Sequence, residues 1–136
     1  MPKPNSDTML RRPLVLVVED HPDMQSLIAE HFAQHGWDVA RALDGETALR
    51  IARERLPELV CLDLNLPSIS GYDVCEEIRT DPRLEGVIVV MTSARSGIDV
   101  RAHSLEAGAD EYLQKPYDLD DLTSVVEQLC RQRAEQ

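Results

Sequence analysis

Aromatic side chains are scarce in this chain, with one Phe, one Trp and three Tyr among 136 residues. A core built without them must be filled by Val, Leu, Ile and Ala. A basic face is missing as well. Fourteen Lys and Arg stand against 25 Asp and Glu, for a formal charge of −11, which argues against direct nucleic-acid binding, because phosphate contact needs cations. Acidity by itself names no partner and serves solubility. The three cysteines, Cys61, Cys75 and Cys130, form no CxxC pair and cannot all be bridged. They read as small apolar fillers in a reducing compartment. No run approaches the roughly 18 apolar residues of a membrane span. No glycine-rich GxGxxG or GxxxxGK turn occurs, so a nucleotide or flavin module lacks its phosphate loop. The start "MPKPNSDTMLRRP" leads into a strand that soon reaches acids, unlike a signal peptide. Residues 1 to 12 therefore read as a disordered tail, residues 13 to 133 as one domain, and the protein as cytoplasmic.

What the chain does have is alternation. "PLVLVVED", "WDVARA", "PELVCLDL", "VIVVMTS" and "ADEYLQ" are short runs rich in β-branched and aliphatic residues. Between and after them lie helical patterns. In "HPDMQSLIAEHFAQHG" a proline occupies the first turn, and Met24, Leu27, Ile28, His31 and Phe32 share a face before Gly36 stops the helix. Asp44 caps a helix with Ala48, Leu49, Ile51 and Ala52 inward. Gly71 opens one with Tyr72, Val74, Cys75 and Ile78. The fourth carries Ile98, Ala102 and Leu105 at i, i+4, i+7. Asp118 caps the last, with Leu119, Leu122, Val125, Val126 and Leu129 in one stripe. Five βα units in succession imply a parallel sheet covered on both faces. Right-handed crossovers favour the doubly wound, flavodoxin-like strand order 2-1-3-4-5 with five helices.

Ligands in such sheets bind where the strands' carboxyl ends open into a crevice. The polar residues at those ends are Glu19 and Asp20 from the first strand, Asp63 from the third, Thr92 and Ser93 from the fourth, and Lys115 just past the fifth. Three acids side by side need a counter-charge. A hard divalent cation such as Mg²⁺ supplies one through oxygen ligands. Lys115 and Ser93 could hold a phosphoryl group by charge and hydrogen bond. Asp63, at the centre, is suited to act as the nucleophile and form an acyl phosphate.

"VVED", "CLDLNLPSISG", "MTSAR" and "EYLQKPY", in that order and register over residues 14 to about 132, resemble the receiver domains of bacterial two-component response regulators. The resemblance implies that Asp63 takes a phosphoryl group from a histidine of a sensor kinase or phosphotransfer protein. It implies that Asp20 binds Mg²⁺ (or Mn²⁺) directly and Glu19 mainly through water, with Asp63 and the backbone carbonyl of Asn65 completing the protein's share. Lys115 would neutralise the acyl phosphate, and Pro116 would follow a cis bond. Ser93 would be the switch hydroxyl and Tyr112 the aromatic that turns inward behind it. Ser93 is favoured over Thr92 because it stands 22 residues before Lys115, and Thr92 should face the other side of the strand. Asn65 and Arg95, two beyond Asp63 and Ser93, would tune the lifetime of the phosphate. Glu for the first acid and Ser for the switch hydroxyl depart mildly from the commoner Asp and Thr. The implied function is a signalling switch, catalysing only its own phosphorylation and dephosphorylation. Its fourth helix, fifth strand and fifth helix would form the surface that docks an effector, an output domain or a second copy.

Blander or competing readings stand beside these. Glu19 and Asp20 could merely cap the helix that follows, and Tyr112 could be an ordinary half-buried strand residue. His21 reads as a surface residue at a helix start, able to touch the rim of the site. His31 and His35 stand at i, i+4 with no third ligand evident and read as helix-face histidines. A phosphatase of the haloacid dehalogenase type also uses a strand-end Asp, Mg²⁺ and a lysine. Its DxD motif lies on the first strand, which here ends in "ED", while "DLN" lies on the third. A degenerate receiver serving only for docking would not need the complete set of acids, hydroxyl and lysine. The chain reads either as a stand-alone receiver or as a segment of a longer regulator or hybrid kinase.

Overall fold

The computed structural model describes residues 12–135. Apart from Arg12, the disordered-tail reading falls on residues outside these. In chain order the elements are β1 (Leu14–Val18), α1 (Pro22–Gln34), β2 (Asp38–Ala42), α2 (Gly45–Arg55), β3 (Leu59–Asp63) and α3 (Gly71–Thr80). A 3-10 turn (Pro82–Leu84) then leads to β4 (Ile88–Ser93), α4 (Ile98–Glu106), β5 (Glu111–Gln114) and α5 (Leu119–Ala134). All four strand pairings are parallel, and the order is β2-β1-β3-β4-β5. The doubly wound expectation therefore holds.

Strands β1, β3 and β4 are buried along their whole length, which is why they read as continuous rather than alternating apolar runs. Their period of two still divides the core into layers. Leu16, Val18, Val60, Leu62, Val89 and Met91 pack with Ala48, Leu49 and Ala52 of α2 and Val74, Cys75 and Ile78 of α3. Val15, Val17, Leu59, Cys61, Ile88 and Val90 pack on the other face with Ile28 and Phe32 of α1 and Leu122 and Val126 of α5. Each such aliphatic side chain contributes about 1.5–3 kcal/mol on burial. The layers hold the strand ends rigidly in place.

Two helices present different faces from those their patterns suggest. In α1 the inward residues are Gln25, Ile28, Ala29 and Phe32, whereas Met24 and Leu27 stand 38% and 54% exposed. Gln25 is tolerated inside because its amide donates to the carbonyls of Glu19 (3.2 Å) and Ala42 (2.8 Å), tying α1 to the ends of β1 and β2. In α4, Ile98, Ala102 and Leu105 face outward, with Ile98 86% exposed, and the buried residue is Ser104. Its hydroxyl donates back to Val100 O (2.8 Å). Small residues (Ser104, and Ala107 and Ala109 just beyond the helix) face the sheet and let α4 approach it closely, leaving the larger apolar side chains outside.

Candidate functional site

The carboxyl ends of β1, β3, β4 and β5 converge on one side of the sheet. Backbone bonds carry the strands' order a little past their ends: Glu19 N–H donates to Ala42 O, Leu64 N–H to Thr92 O, and Lys115 N–H to Ser93 O (3.1, 2.8 and 2.7 Å). The loop after β3 folds back so that Gly71 N–H reaches Leu64 O (2.8 Å). A side chain at Gly71 would collide with backbone, its Cβ lying 2.6 Å from Asp63 O and 2.7 Å from Leu64 Cα. That glycine is required by close approach to the strand end beneath it.

Three ionised groups meet in a bonded set. Lys115 Nζ donates to Glu19 Oε1 (2.7 Å) and to Asp63 Oδ2 (3.2 Å). Asp63, 4% exposed, also accepts the N–H of Asn65 on Oδ1 (3.0 Å). Burial raises the Asp63 carboxyl from 3.8 to about 6; the Asn65 N–H opposes that, the neighbouring Glu19 charge adds to it, and Lys115 opposes it. Burial also pushes Glu19 upward, but Lys115, bonded to it directly, outweighs this and leaves Glu19 below its ordinary value. Lys115 is lowered by burial yet ends above its ordinary value through Glu19 and Asp63. Of the two buried acids, Asp63 is the one raised above its ordinary value and Glu19 the one held below it.

Asp20 lies beside this set, and its Oδ1 is buried with no hydrogen-bond partner. His21 Nδ1 is 3.1 Å from that oxygen, close enough to pair electrostatically but outside hydrogen-bonding alignment. The residue at the N-cap of α1 is His21, and its side chain makes no capping bond, so helix capping does not explain the acids. Among the described residues, Glu19, Asp20 and His21 form a group whose ligand atoms lie within 4.8 Å of one another. An orphaned buried carboxylate oxygen, beside two carboxylates that share one ammonium, fits an oxygen-ligated divalent cation.

Ser93 is fully buried. Its Oγ accepts from Arg95 N–H (3.0 Å) and Asn65 Nδ2 (3.3 Å), so its own proton remains available to an incoming acceptor. By strand alternation Ser93 shares a sheet face with Met91, and Thr92 shares the opposite one with Val90. Tyr112 is buried, and its hydroxyl donates to the carbonyls of Arg95 and, at 3.4 Å, Ser93. Arg95 meets these groups through its backbone, while its side chain is exposed. The Lys115–Pro116 bond is cis. The open space above Asp63, about 560 Å³, is lined by Asp20, His21, Met24, Leu27, Asn65 and Lys115.

The structure thus brings together Glu19, Asp20, Asp63, Asn65, Ser93 and Lys115, with Tyr112 behind Ser93. It places the Arg95 side chain outside that set. Three contributors were not singled out as site residues from the sequence. Gln25 fixes the backbone of Glu19; its signal is a polar residue at i to Ile28, Ala29 and Phe32, on the apolar face. His21 lies against both acids. Tyr117 buries a hydroxyl with no hydrogen-bond partner, and burial together with Cys61, Glu19 and Asp63 raises its phenol; its sequence gives no sign of this. His31 and His35 lie elsewhere, ring on ring at 4.3 Å, with His31 bonded to Thr123.

Comparison with known proteins agrees with this fold. The profile of the response regulator receiver domain matches residues 15–127. The transcriptional regulatory protein PrrA of Mycobacterium tuberculosis is 41% identical over 127 residues, which are 93% of this chain and 54% of that protein. The chain spans about half the length of the curated relatives it matches. A crystal structure of a response regulator from Chloroflexus aurantiacus superposes with a TM-score of 0.82 at 30% identity, covering 87% of this chain and 97% of that one. A CheY-like receiver from Methanospirillum hungatei, at 21% identity, shares the fold with a TM-score of 0.85 over 92% and 98% of the two chains. With its strand order, its strand-end acids, hydroxyl and lysine, and this match over most of its length, the chain belongs to the receiver domain family of two-component response regulators.

Proposed function

We propose that Asp63 is the phospho-acceptor and that its phosphorylation, dependent on Mg²⁺ or Mn²⁺, sets the state of the switch. The observation that carries this reading is the Asp63 carboxylate, buried at a strand end yet open to the crevice and bonded to Lys115. In the reaction an Asp63 oxygen attacks the phosphorus of a phosphohistidine. The P–N bond breaks as the P–O bond forms, and the histidine nitrogen takes up a proton. Asp20, Glu19, Asp63 and the Asn65 backbone carbonyl would hold the cation. When bound, it neutralises charge on the phosphoryl oxygens. Lys115, already charged and aimed at Asp63, holds an oxygen of the product. Ser93 supplies the hydroxyl proton that its two incoming bonds leave free, and Asn65, bonded to Ser93, tunes phosphate lifetime, with the exposed Arg95 side chain acting from outside the bonded set.

The response follows from the same connections. Ser93 moving toward the phosphoryl group would break its bonds to Arg95 N–H and Asn65, and Tyr112, already turned inward and bonded to the Arg95 carbonyl, would shift with that segment. That motion shifts a pre-existing equilibrium in the α4–β5–α5 surface, which passes the state to an effector, an output domain or a second copy. The donor is a sensor kinase or a histidine phosphotransfer protein. It meets the apolar groove of about 250 Å³ formed by Met24, Leu27, Pro116, Tyr117 and Leu119 beside the site. Among the described residues no helix is long and apolar enough to cross a membrane; we place the domain's work in the cytoplasm, without direct contact to nucleic acid. Incubating the Asp63→Asn protein with a small acyl phosphodonor and Mg²⁺, and reading intact mass, tests the assignment. Loss of phosphate uptake is expected, and uptake at full stoichiometry would overturn it.

A further inference from the structure

The cation site of the preceding section has a potential ligand that the oxygen set does not account for. His21 follows Glu19 and Asp20 directly and occupies the N-cap of α1 in extended conformation (φ −89°, ψ 112°). Pro22 behind it disfavours the helical alternative, so the backbone holds the His21 side chain near the acids. The ring does no capping work. Its Nδ1 lies 3.3 Å from Glu19 Oε2 and 3.1 Å from Asp20 Oδ1. Two donors bound side by side to an octahedral ion at about 2.1 Å stand about 3 Å apart. The imidazole nitrogen, hydrogen-bonded to Glu19 Oε2, is therefore spaced from the direct-ligand oxygen of Asp20 as a neighbouring ligand would be. The Asp20 oxygen it faces is the orphaned buried one, and His21 lines the same space as Asp63 and Lys115. Its side chain is 77% exposed, which leaves the ring free to turn onto an ion.

On the strength of that metal-site reading, we propose that His21 is a nitrogen ligand at the mouth of the site and biases it toward later first-row ions over Mg²⁺. Mg²⁺ favours carboxylate, carbonyl and water oxygens, whereas imidazole nitrogen suits transition ions, with affinity rising from Mn²⁺ through Co²⁺ to Ni²⁺. An all-oxygen site holds Mg²⁺ and Ni²⁺ with less contrast than one that also offers a nitrogen. The exposed side chain and absent capping bond mean that His21→Ala leaves the fold intact.

The test is binding, not turnover. Mn²⁺ binding to the full chain is followed by electron paramagnetic resonance, with Mg²⁺ and Ni²⁺ as competitors, at mildly alkaline pH where imidazole is neutral. A His35→Ala background breaks up the His31–His35 pair, which could otherwise take an ion of its own. Adding His21→Ala, and separately His21→Asn, is expected to weaken Ni²⁺ by about tenfold or more while Mg²⁺ changes by less than about twofold. An unchanged Ni²⁺ to Mg²⁺ ratio, or equal loss for both ions, overturns the assignment and leaves His21 as a charge partner of the acids. If ion binding proves insensitive to Asp20→Asn and Asp63→Asn, the cation site itself fails and the His21 ligand with it.

Discussion

Replacing Asp63 by Asn should make the metal-free domain more stable, although it destroys the proposed acceptor. Burial raises the Asp63 carboxyl from 3.8 to about 6, so between those values the folded state binds a proton that the unfolded chain releases. The contribution of this group to stability is fully present below about pH 4 and is lost as pH rises through about 6. Above that, ionised Asp63 costs the fold up to about 3 kcal/mol. Asn is neutral at every pH, can still accept the Asn65 N–H, and leaves Lys115 paired with Glu19 at 2.7 Å. Losing the 3.2 Å contact to Lys115 offsets part of the gain, so the expected stabilisation at neutral pH is about 1–3 kcal/mol. Urea unfolding in EDTA measures it. The probe is the fluorescence of Trp37, the chain's one tryptophan, which packs edge-on against Phe32 at 5.7 Å. The difference between variant and parent should be small near pH 4, grow through about pH 6 and then level off. Saturating Mg²⁺ should narrow it by more than about 1 kcal/mol, because ligand binding stabilises the parent more. A variant less stable than the parent at neutral pH in EDTA, or a difference that does not vary with pH, would refute the reasoning.

Two further substitutions probe the frame around the site. Tyr117→Phe removes a buried hydroxyl that has no hydrogen-bond partner, and should raise the urea midpoint by an amount worth about 1 kcal/mol; a loss of stability would show that the hydroxyl has a bonded partner. Gly71→Ala drives a methyl into the backbone of Asp63 and Leu64. It should cost about 2–3 kcal/mol and weaken Mg²⁺ binding by displacing the strand end. Thermal melts and ion titration of one preparation check both effects, and a change below about 0.5 kcal/mol would contradict the close approach.

Much of the fold was legible because the three central strands are buried throughout and the helices between them short. Continuous aliphatic runs such as "LVLVV" and "LVCL" leave a parallel sheet as the consistent solution, and caps such as Asp44, whose carboxylate accepts the Thr47 N–H at 2.8 Å, mark helix starts locally. The helix faces were less legible. The periodicity of α4 points to Ile98, Ala102 and Leu105, but docking close to the sheet selects the small Ser104. In α1, Met24 and Leu27 continue the apolar pattern onto the side that borders the crevice.

The sequence by itself determined the order of the elements, the parallel topology and the set of polar residues at the strand ends. Those depend on local burial pattern and on chain direction, which places every strand's carboxyl end on one side of a parallel sheet. Only the tertiary structure decided which of those groups bond to which. That Lys115 spans Glu19 and Asp63, and that Asp63 is the acid raised toward neutrality, depend on small distances between segments 40 to 100 positions apart, and the unsatisfied Asp20 oxygen beside the adjoining His21 depends on what packs around it. Electrostatics in a buried site varies steeply over such distances, and no pattern along a single chain encodes them.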